Sequence, residues 1–132
     1  MNQPLLSASV NTISLDQIKA RMGSPPWWKP VVLAEHIVGT VICEPPDQVN
    51  DLHCHDFDEW WLVLEGRIDW VIEGAGNGPV KATSGDFIFI PALTFHQIFP
   101  TGGGPSIRLA LSLPGHGHLA EKPANKARIR ID

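Results

Sequence analysis

Glycine and proline break this chain repeatedly after Pro25-Pro26, and no stretch beyond them reads as a helix. The breaks fall at Gly39, Pro45-Pro46, Gly66, Gly74-Ala75-Gly76-Asn77-Gly78, Ser84-Gly85, Pro91 and Gly102-Gly103-Gly104-Pro105. Between them the chain reads as strands over Val31–His36, Thr40–Glu44, Asp51–His55, Glu59–Glu65, Arg67–Glu73, Pro79–Ala82, Asp86–Ile90, Phe95–Phe99 and Ser106–Leu113. Short strands at close spacing, with turn residues between them, predict an antiparallel sandwich or barrel. Upstream, Ser14 and Gln17 form a capping-box pair, Leu15, Ile18 and Met22 share one face, and Gly23 ends a short helix. A length of 132 residues suits one domain. The expected division is an arm and helix packing on the barrel over 1–30, the barrel over 31–113, and a tail over 114–132.

One segment carries the chemistry: His53-Cys54-His55-Asp56-Phe57-Asp58-Glu59. Strand side chains alternate, so His53 and His55 leave from one face and Cys54 from the other. Glu59 reaches the histidine face if the intervening backbone stays extended or bulges. Two imidazoles and a carboxylate are the raw material of a divalent metal site, and His96 is set to join them. A ligand role for Cys54 would turn both histidines away, so Cys54 and Cys43 are expected to be small buried hydrophobes.

The strand phases extend this expectation. With Glu59 facing inward, Trp61 and Val63 face inward too; with His96 inward, so is Ile98. The opposite face of that strand, Trp60, Leu62 and Leu64, is also apolar and needs a cover. The N-terminal helix with Trp27-Trp28 can supply it, the tryptophans standing before the first strand. A second subunit can as well, and a homodimer is the simpler account of so much apolar surface.

Composition narrows the function classes. A net charge of −4 gives a nucleic-acid partner no electrostatic support. No apolar run approaches membrane-spanning length, and the N-terminus lacks a basic region followed by an apolar one. The expectation is a cytoplasmic protein with no membrane partner, in which two reduced thiols are at home. Nine carboxylates against the single base Arg67 lie between Glu44 and Glu73, an acidic stretch around the presumed cation site. His36 reads as a structural or surface residue, and His116 and His118, flanked by glycines, as part of an exposed tail.

These residues resemble a known family. His53-x-His55, three residues, Glu59, six residues and Gly66 are similar to the first motif of the cupin superfamily. Gly85, five residues, Pro91, four residues and His96 are similar to the core of the second. The chain departs from the pattern at Leu93, where glycine is usual, at Pro100, where asparagine often stands, and at Asp47, where a glycine often precedes the first motif. The resemblance covers Val31–Leu113. It implies a small jelly-roll β-barrel enclosing one divalent transition metal ion, Fe, Mn, Ni, Co or Zn, held by His53, His55, Glu59 and His96. An octahedral ion with these four ligands keeps two positions for water, dioxygen or a bidentate substrate.

Trp61, Val63, Trp70, Phe87, Phe89 and Ile98 are candidate walls for a small, partly apolar ligand. In the last strand Ile107, Leu109, Leu111 and Leu113 oppose Ser106, Arg108, Ala110 and Ser112. The apolar set is expected inside, which puts Arg108 outside; in the reverse phase Arg108 would clamp a substrate carboxylate. Three function classes follow: dioxygenase-like oxidation of a small organic molecule, metal-dependent isomerisation or decarboxylation, and non-catalytic small-molecule binding or sensing. The chain has no tyrosine, so the histidine–tyrosine chemistry of cupin-type sugar epimerases is not open to it.

Overall fold

In a computed structural model that describes residues 3–114, the capping box closes as expected. The Ser14 hydroxyl accepts from the Gln17 backbone N–H at 3.0 Å, and the Gln17 side chain accepts from the Ser14 backbone N–H at 2.9 Å. The helix α1 spans Leu15–Met22 and stops at Gly23, whose N–H bonds back to the Lys19 carbonyl. His116, His118 and the rest of the tail lie outside the described residues.

Eight strands follow: β1 Trp27–Leu33, β2 Val38–Glu44, β3 Glu59–Glu65, β4 Arg67–Ile72, β5 Val80–Thr83, β6 Phe87–Ile90, β7 His96–Pro100 and β8 Ser106–Ser112. They form two antiparallel sheets, ordered β1-β2-β8-β3-β6 and β5-β4-β7. The fold is all-β, an antiparallel jelly-roll barrel with one short helix. No helix among the described residues is long and apolar enough to cross a membrane.

Two differences from the expected strands matter. The stretch 51–55 is not a ladder strand; it pairs through isolated bridge contacts, His53 with His96 among them. Trp27 and Trp28 do not precede the first strand but open it, Trp27 buried and Trp28 exposed.

The larger sheet is apolar on both faces. Trp61, Val63, Ile88 and Ala110 pack inward against Ile68, Trp70, Ala82 and Ile98 of the smaller sheet. On the outer face Trp27, Val41, Cys43 and Ile107 pack under Ile18 of the helix, with Leu15, Met22, Leu64 and Leu109 at the margins. The helix therefore covers part of the face for which sequence demanded a cover, and the Trp27 indole secures it by donating to the Gly23 carbonyl at 3.1 Å.

This second core overturns the expected phase of β8. Ile107 and Leu109 lie on the helix side, and Ser106, Arg108 and Ala110 face the barrel interior. A helix-covered outer face needs apolar residues as much as the inner one does. The phase of β6 is corrected likewise. Pairing of Trp61 with Ile88 and of Glu59 with Ile90 turns the isoleucines inward. Phe87 and Phe89 are 70% and 59% exposed on the outer surface and do not face the barrel interior. A run reading Phe-Ile-Phe-Ile is apolar in either phase, so alternation alone cannot choose.

Gly66 joins β3 to β4 at φ 84°, and a Cβ there would stand 2.8 Å from the Pro105 carbonyl oxygen and 2.9 Å from the Ser106 Cα. Both obstacles are backbone. Gly66→Ala is expected to destabilise the fold by about 2–4 kcal/mol, combining the left-handed backbone penalty with overpacking. Urea unfolding of the variant checks this; an unchanged midpoint would contradict the tight approach of β8 to this turn.

Candidate metal centre

The site is built by one backbone contact between distant segments. His53 N–H donates to the His96 carbonyl at 3.1 Å, and His96 N–H donates to the His53 carbonyl at 2.9 Å. The two imidazoles leave this bridge on the same side, with ring centres 4.4 Å apart. His55 follows two residues after His53, its ring centre 4.9 Å from that of His53 and 5.4 Å from that of His96. Its carbonyl accepts from the Leu93 N–H at 2.7 Å, which ties the loop before β7 to the same segment. Leu93 sits at φ 59°, in the left-handed region where a glycine would be free of strain. The position keeps the backbone conformation that glycine would favour, at the expense of a strained leucine whose side chain is buried.

Hydrogen bonds set the tautomers of two rings. His53 Nδ1 lies 3.0 Å from the Asp51 carbonyl oxygen, and His96 Nδ1 lies 3.1 Å from the Thr94 carbonyl oxygen. A carbonyl only accepts, so each Nδ1 carries a proton, and in the neutral ring Nε2 is the atom left with a lone pair. The ligand atoms of His53, His55 and His96 all lie within 4.8 Å of one another, and all three residues are buried. Converging lone pairs in a buried place suit a cation, and imidazole nitrogen suits a transition metal. The three histidines fit the expected ion on geometry and on chemistry.

Glu59, the fourth expected ligand, opens β3 beside this triad. Its Oε1 stands 3.3 Å from His55 Nε2 and 3.9 Å from His96 Nε2, and accepts from the Trp61 indole N–H at 3.1 Å. It therefore adjoins two of the three histidines. Burial pushes its carboxyl up to about 7 from the ordinary 4.5, against the lowering effects of the Trp61 hydrogen bond and of Arg108.

Above the histidines a cavity of about 100 Å³ is lined by Ile42, Asn50, Asp51, His53, His55, Glu59, Trp61, Ile98 and Arg108. Of the expected walls, Trp61 and Ile98 line it. Val63 and Trp70 are fully buried in the core and do not. Phe87 and Phe89 border a separate surface depression of about 390 Å³ that no histidine enters.

Arg108 was expected outside and is inside. It is buried, its guanidinium carbon lies 5.1 Å from the Trp61 ring centre, and its Nη1 donates to Glu44 Oε1 at 2.6 Å. Glu44 also accepts from Asn50 Nδ2 at 3.0 Å, and Asn50 donates to the Ile98 carbonyl at 3.1 Å. Sequence reasoning missed Glu44 and Asn50. The only available signal was that Glu44 shares its strand phase with Ile42; its partner Arg108 stands 64 residues away. His36 is exposed beside Glu35, in keeping with a surface residue. Both cysteines are buried and form no disulfide.

Residues 40–111 match the family described as the cupin domain. The curated proteins provide no match. Among solved structures, a double-stranded β-helix protein from Klebsiella pneumoniae is 19% identical with a TM-score of 0.66, covering 83% of this chain and 97% of its own. A cupin-2 domain protein from Shewanella frigidimarina is 14% identical with a TM-score of 0.63, covering 76% and 93%. The polyketide cyclase RemF from Streptomyces resistomycificus is 20% identical with a TM-score of 0.60, covering 75% and 73%. At such identities these structures share the fold.

The raised carboxyl of Glu59 sets a pH dependence for the metal-free protein. The folded state holds a proton that the unfolded chain has released above pH 4.5. This group's contribution is therefore full below about pH 4.5, falls as pH rises toward 7, and then levels, a loss of about 3 kcal/mol in all. In chelator-treated protein, Glu59→Gln is expected to flatten that part of the profile and to be the more stable form at pH 8. Denaturant unfolding from pH 5 to 8 tests this; parallel profiles for the two proteins would refute the shift.

Proposed function

Because this chain belongs to the cupin domain family, we propose that it holds one divalent transition metal ion between His53, His55, Glu59 and His96 and acts as a dioxygenase-like enzyme on a small organic molecule. The observation that carries this reading is the convergence of three buried imidazoles, two with their Nε2 lone pairs set by backbone carbonyls. Such an ion supplies Lewis acidity and, where redox-active, electrons for chemistry with dioxygen. The chain's own residues do the rest. The carbonyls of Asp51 and Thr94 orient the rings, Trp61 holds Glu59, and Trp61 with Ile98 narrows the cavity to a small ligand.

Isomerisation or decarboxylation at the same site is the second reading. The polyketide cyclase among the similar structures shows that this fold also serves enzymes of another reaction class. Binding without turnover is the third, and the same experiment separates all three. We place the protein in the cytosol, where two buried thiols that form no disulfide would stay reduced.

A second copy of the chain is the proposed partner for the outer surface that α1 leaves open. Trp60, Phe87 and Phe89 are 42%, 70% and 59% exposed, and the Trp60 and Phe87 ring centres lie 6.2 Å apart at the β3–β6 margin of the sheet. In sedimentation measurements the native chain is expected to run as a dimer and Phe87→Glu/Phe89→Glu as a monomer with its metal content intact. A monomeric native chain would sink the dimer.

The central test is elemental analysis of protein purified without a histidine tag, followed by a substrate screen under oxygen. The expected result is bound transition metal, lost in His96→Ala with at least a roughly 100-fold drop in Co²⁺ affinity. Unchanged metal content in that variant would remove the proposed centre. Substrate-dependent oxygen uptake by the iron form supports oxidation. Product without oxygen uptake supports the second reading, and tight binding without product supports the third.

A further inference from the structure

Arg108 is the sole lysine or arginine buried among the described residues. A buried guanidinium needs a reason, since leaving water is costly unless charge and donors are matched. Glu44 matches the charge but not the donors. The pair is held through Nη1 alone, and Glu44 Oε1 is shared with Asn50. A structural arginine–carboxylate pair gains most from two parallel hydrogen bonds, yet Nε of Arg108 is buried with no hydrogen-bond partner. The side chain is also braced, its guanidinium lying over the Trp61 ring.

Arg108 lines the same cavity as His53, His55 and Glu59. With a divalent ion in place, the ion and Arg108 outweigh Glu44 and Glu59 by one positive charge. Asp51, also at the cavity, is largely exposed, so solvent screens it. A cavity with one excess positive charge and a guanidinium in its wall, bonded to Glu44 through Nη1 alone, suits a monoanion. At about 100 Å³ the space is well below the roughly 300 Å³ at which drug-sized pockets begin. It admits a molecule of few heavy atoms, or one end of a longer one.

We propose that Arg108 is a recognition residue and that the site takes a small carboxylate, whose acid group accepts from the guanidinium edge that Glu44 leaves open. The proposal deepens the metal-site reading above and rests on it for the second wall of the cavity. Glu44 and Asn50 are positioning residues: they fix which edge of Arg108 is occupied and which is offered.

The test is a selectivity, which a purely structural ion pair would not produce. Calorimetric titration compares pyruvate with its neutral isostere pyruvamide on the Co²⁺-loaded chain and on the metal-free chain. The native protein is expected to favour the acid by about tenfold or more, the scale of one charge-assisted hydrogen bond. The charge-balanced variant Arg108→Met/Glu44→Gln is expected to keep its Co²⁺ content and its melting temperature and to lose the preference. Arg108→Lys, which keeps the charge without the fork, is expected to retain only part of it. Equal affinity for acid and amide in the native protein overturns the proposal, as does a preference that survives in the folded double variant. Should the double variant not fold, the native comparison and Arg108→Lys decide. Failure to take up Co²⁺ sinks the metal reading alone. The metal-free titration then decides on Arg108, with an acid preference supporting it and equal affinity overturning it.

Discussion

Two hydrogen bonds between the backbones of His53 and His96 hold the ligand set together. They are not part of a long ladder; they form an isolated bridge between a loop and the start of β7. Everything at the site is hung from this contact. His55 follows from His53 by strand alternation, and the carbonyls of Asp51 and Thr94, each two residues before its histidine, turn the imidazoles by their Nδ1 protons. Leu93 accepts a left-handed conformation so that its N–H can reach the His55 carbonyl. The strain there and the bridge beside it serve one end, a fixed and buried triad.

The second constraint is that the large sheet is buried on both faces over much of its width. Antiparallel sheets commonly show one face to water, and the alternation rule draws its power from that asymmetry. Here α1 and Trp27 seal the outer face over β2 and β8, so apolar side chains are needed on both sides. The inner face of β8 is thereby free to carry Ser106 and Arg108, and β2 meets it with Ile42 and Glu44. The polar interior depends on the helix outside.

Charge and burial are in tension throughout the cavity. Glu59 resists ionisation because it is buried, although the Trp61 indole and Arg108 both favour its charged form. Arg108 stays buried because Glu44 and the Trp61 ring receive it. The metal ion and anionic ligand proposed for this cavity would supply the charge and the acceptor that the protein alone leaves out.

By itself the sequence determined the all-β architecture, the capped helix and the histidine cluster, because each of these is written in local rules: recurrent turn residues, a capping box, and histidines two apart on an extended segment. The spacing of His53, His55, Glu59, Gly66, Gly85, Pro91 and His96 added the family to that. Local rules could not decide which way β6 and β8 face. Phe87-Ile88-Phe89-Ile90 is apolar in either phase, and Arg108 looks like a surface residue until its partner is known. Those choices were made by pairing across the sheet, by the helix covering its outer face, and by the meeting of Arg108 with Glu44 from a distant strand. They are long-range because burial is a property of what packs on a face, which no stretch of eight residues contains.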